Sequence, residues 1–325
     1  MTASGSQQQR MVSVRGLRLF VREQGEGPPL LLINGLGSNA DMWGAVEERL
    51  RATGRTIVYD MPGSGRSPTP PLPLAISALA RVAGALLDEL GHERADVLGF
   101  SLGGLVAQQL AHDEPHRIRR LALAATACGW GSMPPTAEAL ALLSMPVRYH
   151  SRSLYWQTNR LLSPSDRDLL RRLPTLTASR LRYPPPLVGY TYQITAGAMW
   201  TSLPWLASVR VPTLVLSGDA DAVVPVANGI QLARLLPQSR LNVVPDGGHL
   251  FVFDPNGPAI GLLEDFFSSA RLSDSRAWSQ GTRVERDDAV EAAFAASSGA
   301  FPHRLLSEAY RRYVAAGRRN GNKPN

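Results

Sequence analysis

The sequence predicts an α/β protein: a mostly parallel central sheet flanked by helices, with an inserted helical cap and a helical extension at the carboxyl end. Three observations predict it. Between residues 12 and 270, short apolar runs of strand character alternate with stretches of helical periodicity. The alternation breaks between about 131 and 206, where prolines and aromatics crowd a stretch without strand runs. Beyond about residue 270 the alternation ends. These breaks divide the chain into a core at 12–130 and 207–270, a cap at 131–206 and a tail at 271–325.

The elements follow in order. Residues 12–21 read as an edge hairpin strand ahead of the glycine–proline turn at 25–29, and the run at 30–34, which leads up to Gly35, reads as a buried strand. Further strands are expected at 56–60, 95–100, 118–124, 213–217 and 241–244, and helices between them at 42–52, 76–90, 103–112, 226–236 and 258–269. The 131–206 insert reads as several helices lying over the carboxyl edge of the sheet, the edge at which open α/β sheets hold their sites. The insert is rich in tyrosine and tryptophan, and most of these side chains are expected to pack the cap's own interior. In the tail, a polar linker at 271–286 leads to an alanine-rich helix at 287–296. Next, Leu305, Leu306, Ala309, Tyr310, Tyr313 and Val314 recur at helical spacing, with Arg304, Arg311, Arg312, Arg318 and Arg319 largely off that stripe. Such a basic amphipathic helix suits a granule or membrane surface, or docks on the protein's own body.

Composition excludes several classes. An apolar share of 44 % with 19 % charged residues is that of a globular chain, not a disordered one. One cysteine, Cys128, rules out a disulfide framework and a cysteine-based zinc site. Lys323 is the only lysine behind the net charge of +7, so the basicity is an arginine habit. The tail holds 10 basic and 6 acidic residues against 24 and 21 in the rest, which argues against a nucleic-acid-binding body. No apolar run reaches 18 residues, and the polar start MTASGSQQQR lacks the apolar centre of a signal peptide. A cytoplasmic, reducing location is the expectation, with Cys128 as a small core residue in the run LALAATAC.

The strongest chemical motif is Gly99-Phe100-Ser101-Leu102-Gly103, which follows a predicted strand and opens a predicted helix. In that context Gly-x-Ser-x-Gly is a nucleophile elbow: small residues permit the tight turn, and the serine stands over a helix N-terminus. A hydroxyl needs a base. His92, His112, His116, His150 and His303 fall in turns, helix ends, the cap or the tail, whereas His249 follows a buried strand and the turn Asp246-Gly247-Gly248, before the last core helix. That is the chain position the order Ser…Asp…His requires. The strand at 213–217 ends on two acids. The spacing Gly-x-x-Asp-x-x-x-Pro favours Asp221, three residues after Gly218 and ahead of Pro225; Asp219 is the alternative. An oxyanion hole needs two backbone amides, and removing one such donor typically costs about 10²–10³ in rate. Leu102, next after the nucleophile, supplies one, and Leu36, between Gly35 and Gly37, is expected to supply the other. The same loop, Gly35-x-Gly37-x-x-Ala40 with Asp60 ending the next strand, meets the letter of a dinucleotide fingerprint. That reading leaves Ser101, Asp221 and His249 as coincidence, so Asp60 and the loop at 62–67 are read as scaffold. No metal or phosphate-cofactor motif is present in the sequence, and no cofactor is expected.

These residues in their contexts resemble the α/β-hydrolase superfamily. Within it, the segments PLLLINGLGSNADMW, VYDMPGSGRS, AQQLAHDEPHRIRRLALAATACG, SMPVRY, GYTYQITAGAMWTSLPWL, PTLVLSGDADAVVP and DGGHLF resemble the intracellular medium-chain-length polyhydroxyalkanoate depolymerases, over roughly residues 12–268. The resemblance implies the α/β-hydrolase fold and hydrolysis of 3-hydroxyacyl ester bonds of an apolar polyester, with Ser101 as nucleophile, His249 as base and Asp221 as acid. The elbow reads Phe-Ser-Leu where that family usually has Val-Ser-Trp, and the tail lies outside its pattern. A medium-chain esterase or lipase, a perhydrolase and an acyltransferase share the same triad. A ligand-binding receptor of the same fold is a more distant reading.

Overall fold

The computed structural model describes residues 8–158 and 162–296. Its strands are β1 (Gln8–Val14), β2 (Leu17–Gln24), β3 (Pro29–Ile33), β4 (Arg55–Tyr59), β5 (Ala95–Phe100), β6 (Ile118–Ala124), β7 (Thr213–Gly218) and β8 (Ser239–Val244). They form one sheet in the order β1-β2-β4-β3-β5-β6-β7-β8. Only β2 runs antiparallel to its neighbours; β4, β3 and β5 to β8 pair in parallel.

The central strands are apolar on both faces because both faces are covered. Leu31 and Ile33 of β3 join a core with helices α2 (Ile76–Glu89), α3 (Leu102–Asp113) and α9 (Val226–Leu235). Leu30 and Leu32 of the same strand point into a second core with α1 (Gly44–Leu50) and α10 (Pro258–Ser268). The period of two along the strand thus sorts its side chains between two helical layers. Helix α2 buries Ile76, Leu79, Ala80, Ala83, Leu86 and Leu87, the three-and-four spacing of an amphipathic helix.

The stretch at 12–21, expected as one edge strand, is divided between two. The chain reverses at Arg15 and Gly16, with Val14 paired to Leu17. Both turn residues have positive φ, 49° and 79°. Such a two-residue hairpin turn prefers Asn-Gly or Asp-Gly, so Arg-Gly gave the sequence no turn signal.

Between β6 and β7 the described chain forms α4 (Ala137–Leu143), α5 (Arg152–Thr158), α6 (Pro164–Arg172), α7 (Pro174–Arg182) and α8 (Leu187–Ala198). After α10 come the short α11 (Arg276–Ser279) and α12 (Asp287–Ala296). The stretch at 271–286, expected as a linker, is docked: Thr282 and Leu241 exchange two backbone hydrogen bonds of 2.8 Å beside the outer strand β8. Pairing of this kind protects an otherwise open sheet edge. Helix α12 packs on α9, with Arg234 bonded to Asp287 at 2.9 Å, and Val290 and Phe294 are fully buried in the first core. Phe294→Ala is therefore expected to cost about 3–5 kcal/mol, readable as a lower denaturant midpoint at unchanged slope. The expected basic helix with Arg304–Arg319, and His303, lie outside the described residues. No helix among the described residues is long and apolar enough to cross a membrane. Cys128 is buried, its thiol bonded to Gln231 at 3.0 Å and pushed up by burial to about 12.

Candidate active site

The carboxyl end of β5 delivers Ser101 into a strained turn, φ 53° and ψ −120°. A non-glycine residue at positive φ costs about 1–3 kcal/mol and persists only where its surroundings hold it. Here the Ser101 N–H donates to Ala124 O on β6 at 3.0 Å. Its own carbonyl accepts from Thr126 Oγ1 at 2.7 Å and from the Gly104 N–H at 2.8 Å. The flanking glycines are a matter of space. A Cβ on Gly99 would come within 2.6–2.7 Å of Gly103 O, Gly104 Cα and Ala107 Cβ, and one on Gly103 would collide with the Ile33 carbonyl.

His249 and Asp221 come from the loops after β8 and β7. These loops are tied together by Asp219 N–H to Val244 O at 3.3 Å and Ala220 N–H to Gly247 O at 3.0 Å. His249 Nδ1 stands 2.9 Å from Asp221 Oδ2, and His249 Nε2 stands 3.1 Å from Ser101 Oγ. With the proton on Nδ1, the ring donates to the carboxylate and accepts from the hydroxyl. The other carboxylate oxygen of Asp221 accepts the N–H groups of Val223 and Val224, both at 2.8 Å, so the acid is fixed from two sides. The Asp221 side chain is fully buried and that of His249 is 12 % exposed. Asp219, the alternative acid, is exposed, and it is Asp221 that bonds the imidazole. The Phe100 ring packs on the imidazole at 5.1 Å.

The loop after β3 closes on Ser101: a Cβ on Gly35 would lie 2.9 Å from the Phe100 ring and 3.1 Å from Ser101 Cβ. Leu36 and Ser101 line the same narrow cavity of about 50 Å³. The backbone N–H groups of Leu36 and Leu102 donate to no acceptor among the described residues. Two amides left free beside a serine are what a developing oxyanion needs.

The cap sequence Tyr190-x-x-Gln193-x-x-Ala196-Gly197 acquires a physical role. Gln193, buried on α8, accepts the Gly37 N–H at 3.0 Å and donates to Pro62 O at 3.1 Å. Gly37 adopts φ 62°, and the Tyr190 ring lies where its Cβ would be. Trp200 and Ser202, further along the same run, bond Gln109 and Gln108 of α3. The cap is thereby anchored to both the loop after β3 and the helix that follows Ser101. Asp60 is fully buried, and its carboxylate accepts the Ala40 N–H at 2.5 Å and the Arg66 N–H at 2.8 Å. It braces two loops, as expected for scaffold.

Sequence reasoning missed Asp166. This buried residue of α6 accepts the backbone N–H of His249 at 2.9 Å and of Leu250 at 2.8 Å, and Ser163 Oγ donates to it at 3.0 Å. Burial pushes its carboxyl above the ordinary range, and the Leu250 and His249 amides pull it partly back. Ser-Pro-Ser-Asp signals a helix start, but nothing in it signals a partner 83 residues away. In Asp166→Asn the amide's own NH2 opposes one of the two N–H donors. The expected result is a loss of about 10-fold or more in kcat with a smaller change in KM, checked by steady-state kinetics.

A sequence profile of the alpha/beta hydrolase fold matches residues 28–255, and the chain belongs to that family. It is 36 % identical over 256 residues to a poly(3-hydroxyalkanoate) depolymerase of Ectopseudomonas oleovorans, covering 75 % of this chain and 85 % of that one. A 2-hydroxymuconate semialdehyde hydrolase of Pseudomonas putida is 30 % identical over 275 residues, 80 % of this chain and 94 % of the relative. A solved structure of a hydrolase from Pseudomonas aeruginosa PA01 matches with a TM-score of 0.68 and 29 % identity, over 82 % of this chain and 100 % of that one. The fold and the resemblance to polyhydroxyalkanoate depolymerases, expected from the sequence, are borne out.

Proposed function

We propose that this protein is a serine ester hydrolase that cleaves the 3-hydroxyacyl ester bonds of a poly(3-hydroxyalkanoate). The observation that carries the reading is the hydrogen-bonded line from Asp221 through His249 to Ser101, set at the elbow and beside two free amides. Ser101 Oγ attacks the ester carbonyl carbon as its proton passes to His249 Nε2. The carbonyl oxygen becomes an oxyanion held by the N–H groups of Leu36 and Leu102, while Asp221 stabilises the imidazolium. Collapse of the tetrahedral intermediate breaks the ester C–O bond, and the leaving alkoxide takes the imidazolium proton and departs as an alcohol. Water then attacks the acyl-Ser101 carbonyl, giving its proton to His249. The second collapse frees the acid and returns the proton to Ser101.

The 36 % identity to a depolymerase supports a polyester substrate. Apolar cavity walls at Leu142, Leu143, Leu162 and Val223 suit an alkyl side chain. The polymer surface is the partner proposed for the basic segment at 304–319, and the proposed location is cytoplasmic, at storage granules. The deletion that tests the tail starts at residue 297, because α12 belongs to the folded core. Unchanged sedimentation of that variant with granules contradicts the surface role.

A hydrolysis panel of polyhydroxyoctanoate, polyhydroxybutyrate, triglyceride and p-nitrophenyl esters tests the function. Release of 3-hydroxyoctanoate from polyhydroxyoctanoate is the expected result. Turnover of soluble p-nitrophenyl esters alone assigns the protein instead to the medium-chain esterases.

A further inference from the structure

The cavity of about 50 Å³ at Ser101 has room for a few water molecules, and so for a reacting ester group but not for the chain that carries it. A second, larger cavity of about 560 Å³ lies within the cap, and the residues that line it all fall between 149 and 184. Its size is in the range of about 300–1,000 Å³ typical of small-molecule sites. The two cavities share one residue, Tyr149, which is buried and lines both. Its neighbours divide between them. In the turn Pro146–His150, Arg148 lines the cavity at Ser101 and His150 the larger one. On α7, Arg180 lines the first, whereas Ala178 and Leu181 line the second. These two cap elements therefore build the wall between the cavities, with Tyr149 at the boundary.

The larger cavity has a distinct chemistry. Trp156, Leu181, Pro174 and Pro184 make much of its lining apolar. No carboxylate and no side-chain amide lines it. Arg152 and Arg182, which do, can only donate hydrogen bonds. Thr177 also lines it and is 5 % exposed, and its Oγ1 is buried without a hydrogen-bond partner among the described residues. An unpaired buried hydroxyl is costly, and an acceptor arriving beside it recovers that cost. The ligand that complements such a lining is apolar, carries acceptors and lacks donors. A chain of hydroxyacyl esters has that character: each unit presents an alkyl branch and an ester carbonyl, and its donors are confined to the chain ends.

We propose that the larger cavity is a chain subsite: with one ester bond at Ser101, the adjoining hydroxyacyl units pass Tyr149 and lie between α5 and α7. This rests on the reading of Ser101 and His249 as polyester-hydrolysing machinery. Tyr149 is then the gate between the cavities, and its ring turns aside as the chain passes. Such a subsite favours oligomers over single esters, because remote units add binding that a monomer cannot offer.

The test is calorimetric titration of full-length Ser101→Ala, which binds without turnover, with methyl 3-hydroxyoctanoate and with the methyl ester of the linear 3-hydroxyoctanoate trimer. The trimer is expected to bind about tenfold or more tightly than the monomer. Ala178 is exposed on α7 and lines only the larger cavity, so Ala178→Trp in the same background fills the subsite. Trimer and monomer are then expected to agree within about twofold. Equal affinities in the parent, no measurable trimer binding, or a preference that survives Ala178→Trp would overturn the proposal. Should Ala178→Trp not fold, Thr177→Val replaces it. That variant removes the unpaired hydroxyl, keeps the shape, and is expected to weaken trimer binding about three- to tenfold; undiminished trimer binding counts against the subsite. Hydrolysis of p-nitrophenyl acetate by the wild type separates the two claims. Turnover without trimer preference removes the subsite alone, and trimer preference without turnover removes the hydrolase reading alone.

Discussion

Ser101→Ala is expected to lower kcat for p-nitrophenyl octanoate by about 10⁵–10⁶-fold, because every covalent step proceeds through that one oxygen. The fold should survive. The substitution deletes a single atom of a partly buried residue, and the bonds that hold the elbow use backbone groups of residue 101, its N–H to Ala124 and its carbonyl to Thr126. Those bonds are unchanged in alanine, so an unaltered thermal midpoint should accompany the lost activity. Activity retained at even a tenth of the wild-type rate would remove Ser101 from the mechanism.

Asp221→Asn is expected to cost about 10⁴-fold in kcat, for a different reason. Asp221 Oδ1 already accepts the N–H groups of Val223 and Val224, which forces the amide of the variant to place its oxygen there. Its NH2 then faces His249 Nδ1, 2.9 Å away in the parent. The ring can meet that donor only by accepting on Nδ1, which moves its proton to Nε2. A protonated Nε2 cannot take the proton of Ser101. Asp219→Asn, at an exposed position that does not bond the imidazole, should change kcat less than twofold. Steady-state kinetics of the pair decides between the acids: loss in Asp219→Asn with activity kept in Asp221→Asn would reverse the assignment.

The parts of this site that the sequence revealed are those written in short-range chemistry. The glycine spacing around Ser101, the Gly-x-x-Asp-x-x-x-Pro loop and the Gly-Gly turn before His249 each record a local steric demand at a strand end, and the structure brings the three residues within hydrogen-bond reach of one another. The sheet was legible for a similar reason. Strands covered on both faces are apolar runs with little ambiguity, and β3, β5 and β7 are such runs.

What was hidden depends on contacts between distant segments. Asp166 belongs to a helix start in sequence and to the His249 loop in space. Arg148 and Arg180 lie in different cap elements, and only the folded cap brings both to the cavity that Ser101 lines. The stretch at 271–286 looks like a linker because its residues are polar, yet its bond to Leu241 is made by the backbone, which side-chain composition does not report. At Arg15-Gly16 the turn was obscured because arginine occupies a left-handed position that sequence rules reserve for asparagine, aspartate or glycine.

The central claim is that Ser101 is a nucleophile activated by His249. Its most direct measurement is fluorophosphonate labelling of the full chain, with the adduct located by peptide mass spectrometry. A single adduct on Ser101 in the wild type, lost in His249→Ala, is the predicted result; an unlabelled Ser101 in the folded wild type, or labelling undiminished in His249→Ala, would contradict it.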